Sequence, residues 1–120
     1  MLKTYRLLAL VGLVFAFAGM ASAADLEGVL MDKMCSMKAL NEGGEKAALM
    51  HTRSCALMPD CVKSGYGVVT SENKFIALDA EGNKKAEKAL KASKKQDGLR
   101  VKVTGEQKGE VFTVKTLTIL

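Results

Sequence analysis

Aromatic residues are scarce in this chain, which contains no tryptophan, two tyrosines and four phenylalanines. Beyond residue 23 only Tyr66, Phe75 and Phe112 remain, which is too few to stack a run of nucleotide bases. The stretch KKAEKALKASKK (84 to 95) spreads six lysines around a predicted helix, a pattern typical of a solvated surface. We therefore expect no nucleic-acid partner, although the formal net charge is +5.

Several motifs of catalytic sites are also absent. The sequence has no Cys-x-x-Cys pair, no Cys-x-x-Cys-His haem motif, no glycine-rich phosphate loop and no nucleophile elbow. His51 could serve as a base for a thiol, but Asp32, Asp60 and Glu45 are expected to be ordinary surface acids. We predict that the protein is not an enzyme.

The N-terminal segment is typical of a secretory signal peptide. Two basic residues precede the apolar run LLALVGLVFAFA (7 to 18), which is too short for a comfortable membrane span. The small residues ASA (21 to 23) form a cleavage site. Cleavage after residues 1 to 23 leaves a single domain, residues 24 to 120, without a membrane anchor. We expect a soluble protein that is periplasmic or secreted.

Hydrophobic alternation predicts five strands, with a helix between the third and the fourth. The predicted strands are DLEGVLM (25 to 31), YGVVT (66 to 70), KFIALD (74 to 79), LRVKVTG (99 to 105) and EVFTVKTLTIL (110 to 120). This order predicts a mainly β fold, a small five-stranded OB-like barrel with a Cys/His-containing helical insert, at about 32 to 65, between strands 1 and 2. A small open α+β sheet is the alternative.

Three details of this barrel can be predicted. Leu99, Val101 and Val103 alternate with charged residues and are expected to face the core. The helix KKAEKALKA (84 to 92) is expected to begin after Asn83 as its N-cap. The last strand changes its inward phase near Lys115, which indicates a β-bulge.

The insert contains an unusual stretch, HTRSCALMPDCVKSG (51 to 65). It holds the only histidine, the only proline and two of the three cysteines of the chain. A helix is predicted over EKAALMHTRSCAL (45 to 57), before Pro59. On that helix His51 and Cys55 would lie one turn apart on the same face, an arrangement that suits a metal ion.

A metal site is one hypothesis for this stretch. Three thiolates and one imidazole form a familiar tetrahedral zinc set, and Cys35 would complete it if the insert packs over the end of the first strand. The predicted ligands are Cys35, His51, Cys55 and Cys61. Met34, Met50 and Met58 are further candidate donors, although methionine also fills irregular cores, and soft sulfur donors favour Cu(I). The expected partner is therefore zinc, copper or an unknown component of the cell envelope.

A disulfide is the competing hypothesis. Three cysteines in an exported protein allow one disulfide and leave one thiol over. A bridge from Cys35 to Cys55 or Cys61 would join the insert to the barrel and contribute on the order of 3 kcal/mol, whereas Cys55 to Cys61 closes a short loop. The protein would then be a non-enzymatic binding module whose barrel face takes a peptide or a saccharide.

These motifs resemble a family of small exported bacterial proteins that are largely uncharacterised and described as OB-like. The resemblance covers essentially the whole mature chain and rests on LMDKMC (30 to 35), HTRSCALMPDCVKSGYGVV (51 to 69), the lysine-rich helix and the strand VKVTG (101 to 105). Its most specific part is Asp-x-x-Cys followed by His-x-x-x-Cys-x-x-x-x-x-Cys. In this chain that pattern is carried by Asp32, Cys35, His51, Cys55 and Cys61. The resemblance implies the fold and no particular activity.

Overall fold

The structure is a computed structural model that describes residues 23 to 120. Apart from Ala23, the predicted signal peptide lies outside the described residues. The strands are β1 (Ala23–Asp32), β2 (Tyr66–Val69), β3 (Phe75–Leu78), β4 (Arg100–Lys108) and β5 (Val111–Ile119). The helices are α1 (Lys33–Glu42), α2 (Glu45–Leu49), α3 (Arg53–Ala56), α4 (Pro59–Ser64) and α5 (Ala80–Ala92). Within the described part of the chain, no helix combines the length and the hydropathy that a membrane crossing requires.

The strands close into a barrel in the order β1-β2-β3-β5-β4, and β4 pairs back with β1. All neighbours are antiparallel except β3 and β5, which run parallel through the pairs Ala77–Val111 and Leu78–Phe112. Helix α5 connects β3 to β4, and the four short helices α1 to α4 connect β1 to β2. The predicted OB-like barrel with its helix and its insert is confirmed, and the open-sheet alternative is wrong.

The inward faces of the strands fill the barrel. Leu99, Val101 and Val103 are completely buried and alternate with the exposed Arg100 and Lys102, as the sequence predicts. The same cluster contains Leu26, Leu30, Ala56, Tyr66, Val68, Leu78, Ala86, Leu90, Phe112 and Val114. Because burial of one large aliphatic side chain contributes about 1.5–3 kcal/mol, this cluster is the main source of stability.

Strand β5 contains one extra residue, Lys115. Thr104 pairs with Thr116, whereas the next residue of β4, Gly105, pairs with Val114, so Lys115 has no partner in β4. The predicted β-bulge is confirmed. Gly105 permits it, because its φ is 156° and an added Cβ would collide with the backbone of β5.

The insert does not contain the single helix predicted over residues 45 to 57. Helices α2 and α3 are separated because Thr52 is extended (φ −92°, ψ 152°) and its hydroxyl accepts a hydrogen bond from the backbone N–H of Cys55 at 3.2 Å. Thr52 is thus the N-cap of a new helix and cannot continue the previous one. His51 lies in the break, so the predicted one-turn spacing between His51 and Cys55 on one helix is wrong.

Helix α5 begins earlier than predicted. The Oδ1 of Asp79 accepts a hydrogen bond from the backbone N–H of Gly82 at 2.9 Å, which makes Asp79 the N-cap. Asn83, predicted for that role, lies inside the helix. Its Oδ1 instead accepts from the backbone N–H of Tyr66 at 2.8 Å and so fixes the start of β2.

Hydrogen bonds at Arg53 and at Ala56 fasten α3 to the rest of the fold. The Nε of Arg53 donates to the carbonyl oxygen of Leu90 at 2.6 Å, in the last turn of α5, where carbonyls lack helical partners. The hydroxyl of Tyr66 donates to the carbonyl oxygen of Ala56 at 2.7 Å. Ala56 is fully buried in the barrel core, and Leu57 packs against the same core cluster. The segments on either side of α3, which carry His51 and Cys61, are therefore held in fixed positions.

Candidate metal centre

The candidate site is built around Asp32, the last residue of β1. Its carboxylate is completely buried, so the expectation of a surface acid is wrong. Oδ2 accepts a hydrogen bond from the backbone N–H of Cys35 at 2.9 Å and caps α1, because Asp32 has the extended backbone of an N-cap. Oδ1 lies 2.8 Å from the Nε2 of His51. Both carboxylate oxygens therefore have partners.

The charge state of Asp32 follows from these contacts. Burial by itself would raise the pKa of Asp32, but the hydrogen bonds from His51 and from the Cys35 backbone, with the charge of His51, outweigh it and lower the pKa below 3.8. An ionised carboxylate can only accept hydrogen bonds, so the Nε2 of His51 carries the proton. This fixes the imidazole tautomer and leaves Nδ1 as the unprotonated nitrogen whenever the ring is neutral.

Two cysteines converge on this carboxylate. One oxygen of Asp32 and the sulfur atoms of Cys35 and Cys61 all lie within 4.8 Å of one another. Cys35 is in the first turn of α1 and half-buried, and Cys61 is in α4 and 5% exposed. Pro59 at the start of α4 and Gly65 at its end, with φ 84°, turn the chain so that Cys61 faces the strand end. All three cysteines are free thiols, and the Cys35 and Cys61 sulfurs are close without being bonded.

The surroundings keep these two thiols protonated at neutral pH. Burial raises the pKa of the Cys61 thiol from 9.0 to about 12, and the charges of Asp32 and Cys35 add to the shift. Burial and then the charge of Asp32 also raise the pKa of Cys35, while a hydrogen bond with Cys61 acts in the opposite direction. A cation bound between the two thiols would lower their pKa values, because a coordinating thiol loses its proton.

The structure thus brings two of the four predicted ligands, Cys35 and Cys61, together with an acid that was not predicted. His51 contacts this acid and is 11% exposed, but it is not in the group of three ligand atoms. Cys55 is exposed and also outside that group. His51 and Cys55 both line a surface depression of about 330 Å³ whose wall includes Cys35.

Most methionines near the site are on the surface. Met31 is buried in a small cluster beneath α1 and α2, as a core-filling residue would be. Four others are exposed on the insert: Met34 (57%), Met37 (69%), Met50 (78%) and Met58 (55%). Met50 and Met31 line the same depression as Cys55. More than half of each of these side chains faces solvent, whereas Met31 is buried.

No protein-family model, curated protein or solved structure matches this chain. The resemblance to a family of small exported proteins therefore stays a prediction. The site consists of two thiols, one carboxylate and one imidazole in contact with that carboxylate.

Asp32 is the member of the candidate site that the sequence did not predict. A signal was available, because Asp-x-x-Cys is both a helix N-cap pattern and half of the motif that carries the family resemblance. Arg53 was missed as well, and its capping of α5 has no counterpart in the local sequence pattern.

Proposed function

We propose that the protein binds a thiophilic metal ion through Asp32, Cys35 and Cys61. The observation that carries this proposal is the convergence of two free thiols and one carboxylate within 4.8 Å of one another. Zinc and copper are both bound in proteins by such small groups of sulfur, nitrogen and oxygen donors. Asp32 and Cys61 are buried, so water competes poorly for the ion once it is bound.

The residues have different roles in this proposal. Cys35 and Cys61 bind the ion as thiolates, and a carboxylate oxygen of Asp32 is the third donor. His51 donates to the Oδ1 of the same carboxylate and positions it, as hydrogen-bonded groups behind metal ligands generally do. The charge of the ion offsets the repulsion that two thiolates beside a carboxylate would otherwise create.

Zn(II) and Cu(I) are the two candidate ions. A carboxylate beside two thiolates suits Zn(II), which accepts oxygen, nitrogen and sulfur ligands. The exposed thioether of Met50, which lines the same depression as Cys35, suits Cu(I), because soft ions bind thiolates and thioethers and Zn(II) rarely binds the latter. A titration with each ion distinguishes them.

We further propose that this binding takes place in the periplasm or outside the cell, and that it is not catalytic. Support comes from the signal-peptide pattern of residues 1 to 23, with its basic start, apolar run and small-residue cleavage site. Mass spectrometry of the protein recovered from the cell envelope tests it. The expected mass lacks residues 1 to 23, and a product that retains them contradicts the assignment.

The test of metal binding is a competition titration of the reduced protein with Zn(II) and with Cu(I) against coloured chelators. Cys35→Ser and Cys61→Ser each remove a proposed ligand and should weaken binding by more than the roughly 10–100-fold that loss of a residue behind a ligand costs. Cys55→Ser is the matched control, since it removes an exposed thiol outside the group, and it should bind as the wild type does. Equal losses for Cys55→Ser and Cys61→Ser would favour the four-ligand set with Cys35 and His51. Absence of binding would refute the proposal.

The disulfide hypothesis is the alternative, although the Cys35 and Cys61 sulfurs, which lie within 4.8 Å of each other, are not bonded. A second depression, of about 680 Å³, lies between β3 and the β4–β5 hairpin and is lined in part by Phe75, Ile76 and Val111. It is the candidate site for a peptide or saccharide in that alternative. A thiol count on protein purified without reductant separates the two hypotheses, with three thiols for the metal site and one for the disulfide.

A further inference from the structure

We infer that the surface depression beside the buried thiols is an exchange site for Cu(I). In this inference, Cys55 and Met50 take the ion first, and Cys35 receives it on the way to Cys61. The inference rests on the proposed function and deepens it, because it selects the ion and names the residues through which the ion is loaded and released.

The position of Cys35 is the first argument. Cys35 belongs to the buried group with Asp32 and Cys61 and also lines the depression, whereas Asp32 and Cys61 do not. Asp32 is completely buried and Cys61 is 5% exposed, so an ion from solvent cannot reach them directly. Cys35 is half-buried and therefore links the two places. Cys55 lines the same depression as Cys35, so the two thiols share one surface.

The chemistry of the depression is the second argument. Its wall offers an exposed thiol from Cys55, a thioether from Met50 that is 78% exposed, and the imidazole of His51. A thioether needs no deprotonation and binds soft ions weakly, which suits a ligand that must release its ion again. Zn(II) gains little from a thioether, so this donor set favours Cu(I).

The transfer balances without a change of oxidation state. Copper leaves the sulfurs of Cys55 and Met50 and forms bonds to the sulfurs of Cys35 and Cys61. Cys35 and Cys61 each release one proton to solvent, and the Cys55 thiolate takes one up, so one proton is released in total. The copper remains Cu(I), and no electron donor or acceptor is required.

The experiment measures the rate and the equilibrium of transfer separately. Cu(I) is presented as its coloured bicinchoninate complex to the reduced protein under nitrogen, and the loss of colour is followed by stopped flow. Cys55→Ser and Met50→Leu should each slow the transfer about tenfold while the final equilibrium stays within about twofold of the wild type. Met37→Leu is the matched control, because Met37 is 69% exposed on α1 and does not line the depression. Its rate should be unchanged.

The outcomes separate the inference from the proposed function. Wild-type rates in both Cys55→Ser and Met50→Leu would overturn the inference and leave the buried site intact. Binding of Zn(II) without uptake of Cu(I) would also overturn the inference while the proposed function stands. A loss of equilibrium affinity in Cys55→Ser as large as in Cys61→Ser would make Cys55 a ligand of the buried site, which again contradicts the exchange role.

Discussion

The Nε2 of His51 lies 2.8 Å from the Oδ1 of Asp32, nineteen residues earlier in the chain. This contact joins the break between α2 and α3 to the end of β1, and both side chains are nearly or completely removed from solvent. The backbone N–H of Cys35 binds the other oxygen, Oδ2, so the two contacts together fix the orientation of the carboxylate. The geometry of the candidate metal centre therefore depends on a residue that is not in the group of three ligand atoms.

Replacing His51 with alanine should weaken metal binding while the barrel stays folded. Loss of a hydrogen-bonded partner behind a ligand costs about 10–100-fold in affinity. The buried carboxylate also loses a partner, so the free energy of unfolding should fall by about 1–3 kcal/mol. Chelator competition and urea unfolding measure the two effects. His51→Gln, which retains a donor, should recover part of the affinity, and wild-type affinity in His51→Ala would contradict the positioning role.

Metal affinity should rise steeply with pH. The pKa values of Cys35 and Cys61 are raised above 9.0, so both thiols are protonated in the metal-free protein near neutral pH. Binding as thiolates releases both protons, and affinity should increase about a hundredfold per pH unit between about pH 6 and 8. Competition titrations at several pH values test this slope. Cys61→Ser should show about tenfold per unit, and a wild-type affinity independent of pH would mean that neither thiol is a ligand.

The fold should lose stability in alkaline solution because of Cys61 and Tyr66. Burial raises the pKa of Cys61 from 9.0 to about 12, and burial with the charges of Glu87 and Asp32 raises the pKa of Tyr66 from 10.0 to about 12. Both groups bind their proton more tightly in the folded state. Their contribution is complete below about pH 9 and falls progressively as the pH rises toward 12.

Urea unfolding at several pH values measures this alkaline loss. Tyr66→Phe removes the tyrosine part and should flatten the decline between about pH 10 and 12. The same variant lacks the hydrogen bond to the carbonyl of Ala56 and should be about 1 kcal/mol less stable at neutral pH. A decline in Tyr66→Phe that matches the wild type above pH 10 would show that the tyrosine does not titrate in this window.

Two adjacent positions in β4 should respond very differently to substitution. Val101 is completely buried, so Val101→Asp places a charge in the barrel core and should cost about 4 kcal/mol or more. Lys102 faces solvent with only a 3.8 Å ion pair to Asp25, so Lys102→Thr should change stability by less than about 0.5 kcal/mol. Thermal unfolding of both variants is the measurement, and equal losses would contradict the strand phase.

The barrel was predictable because each strand carries its own signal. Val101 and Val103 alternate with charged residues over a short range, and the slip at Lys115 is visible as a change in that alternation. The N-cap of α5 was harder to predict, because two nearby residues could fill that role. Asp79 and Asn83 are both good N-caps, and the choice between them was decided by Tyr66, whose backbone N–H takes the side chain of Asn83.

The site was predictable only in part, because it is formed by tertiary contacts. Cys35 and Cys61 were expected to converge, and they do. The spacing of His51 and Cys55 indicated one helix, but the hydroxyl of Thr52 starts a second helix between them. Asp32 received no role because charged residues are usually exposed, and the partner of its Oδ1 in the fold, His51, is distant in sequence.

The two faces of the insert differ in how much change they can tolerate. On the inner face, Ala48 and Ala56 are completely buried, so larger side chains there would push the insert away from the strands beneath it. On the outer face, Met37 and Met58 are more than half exposed and can be exchanged without disturbing the packing. The exposed thioethers of the insert can therefore be replaced, or further metal-binding side chains added, on the outer face alone, while the barrel stays unchanged.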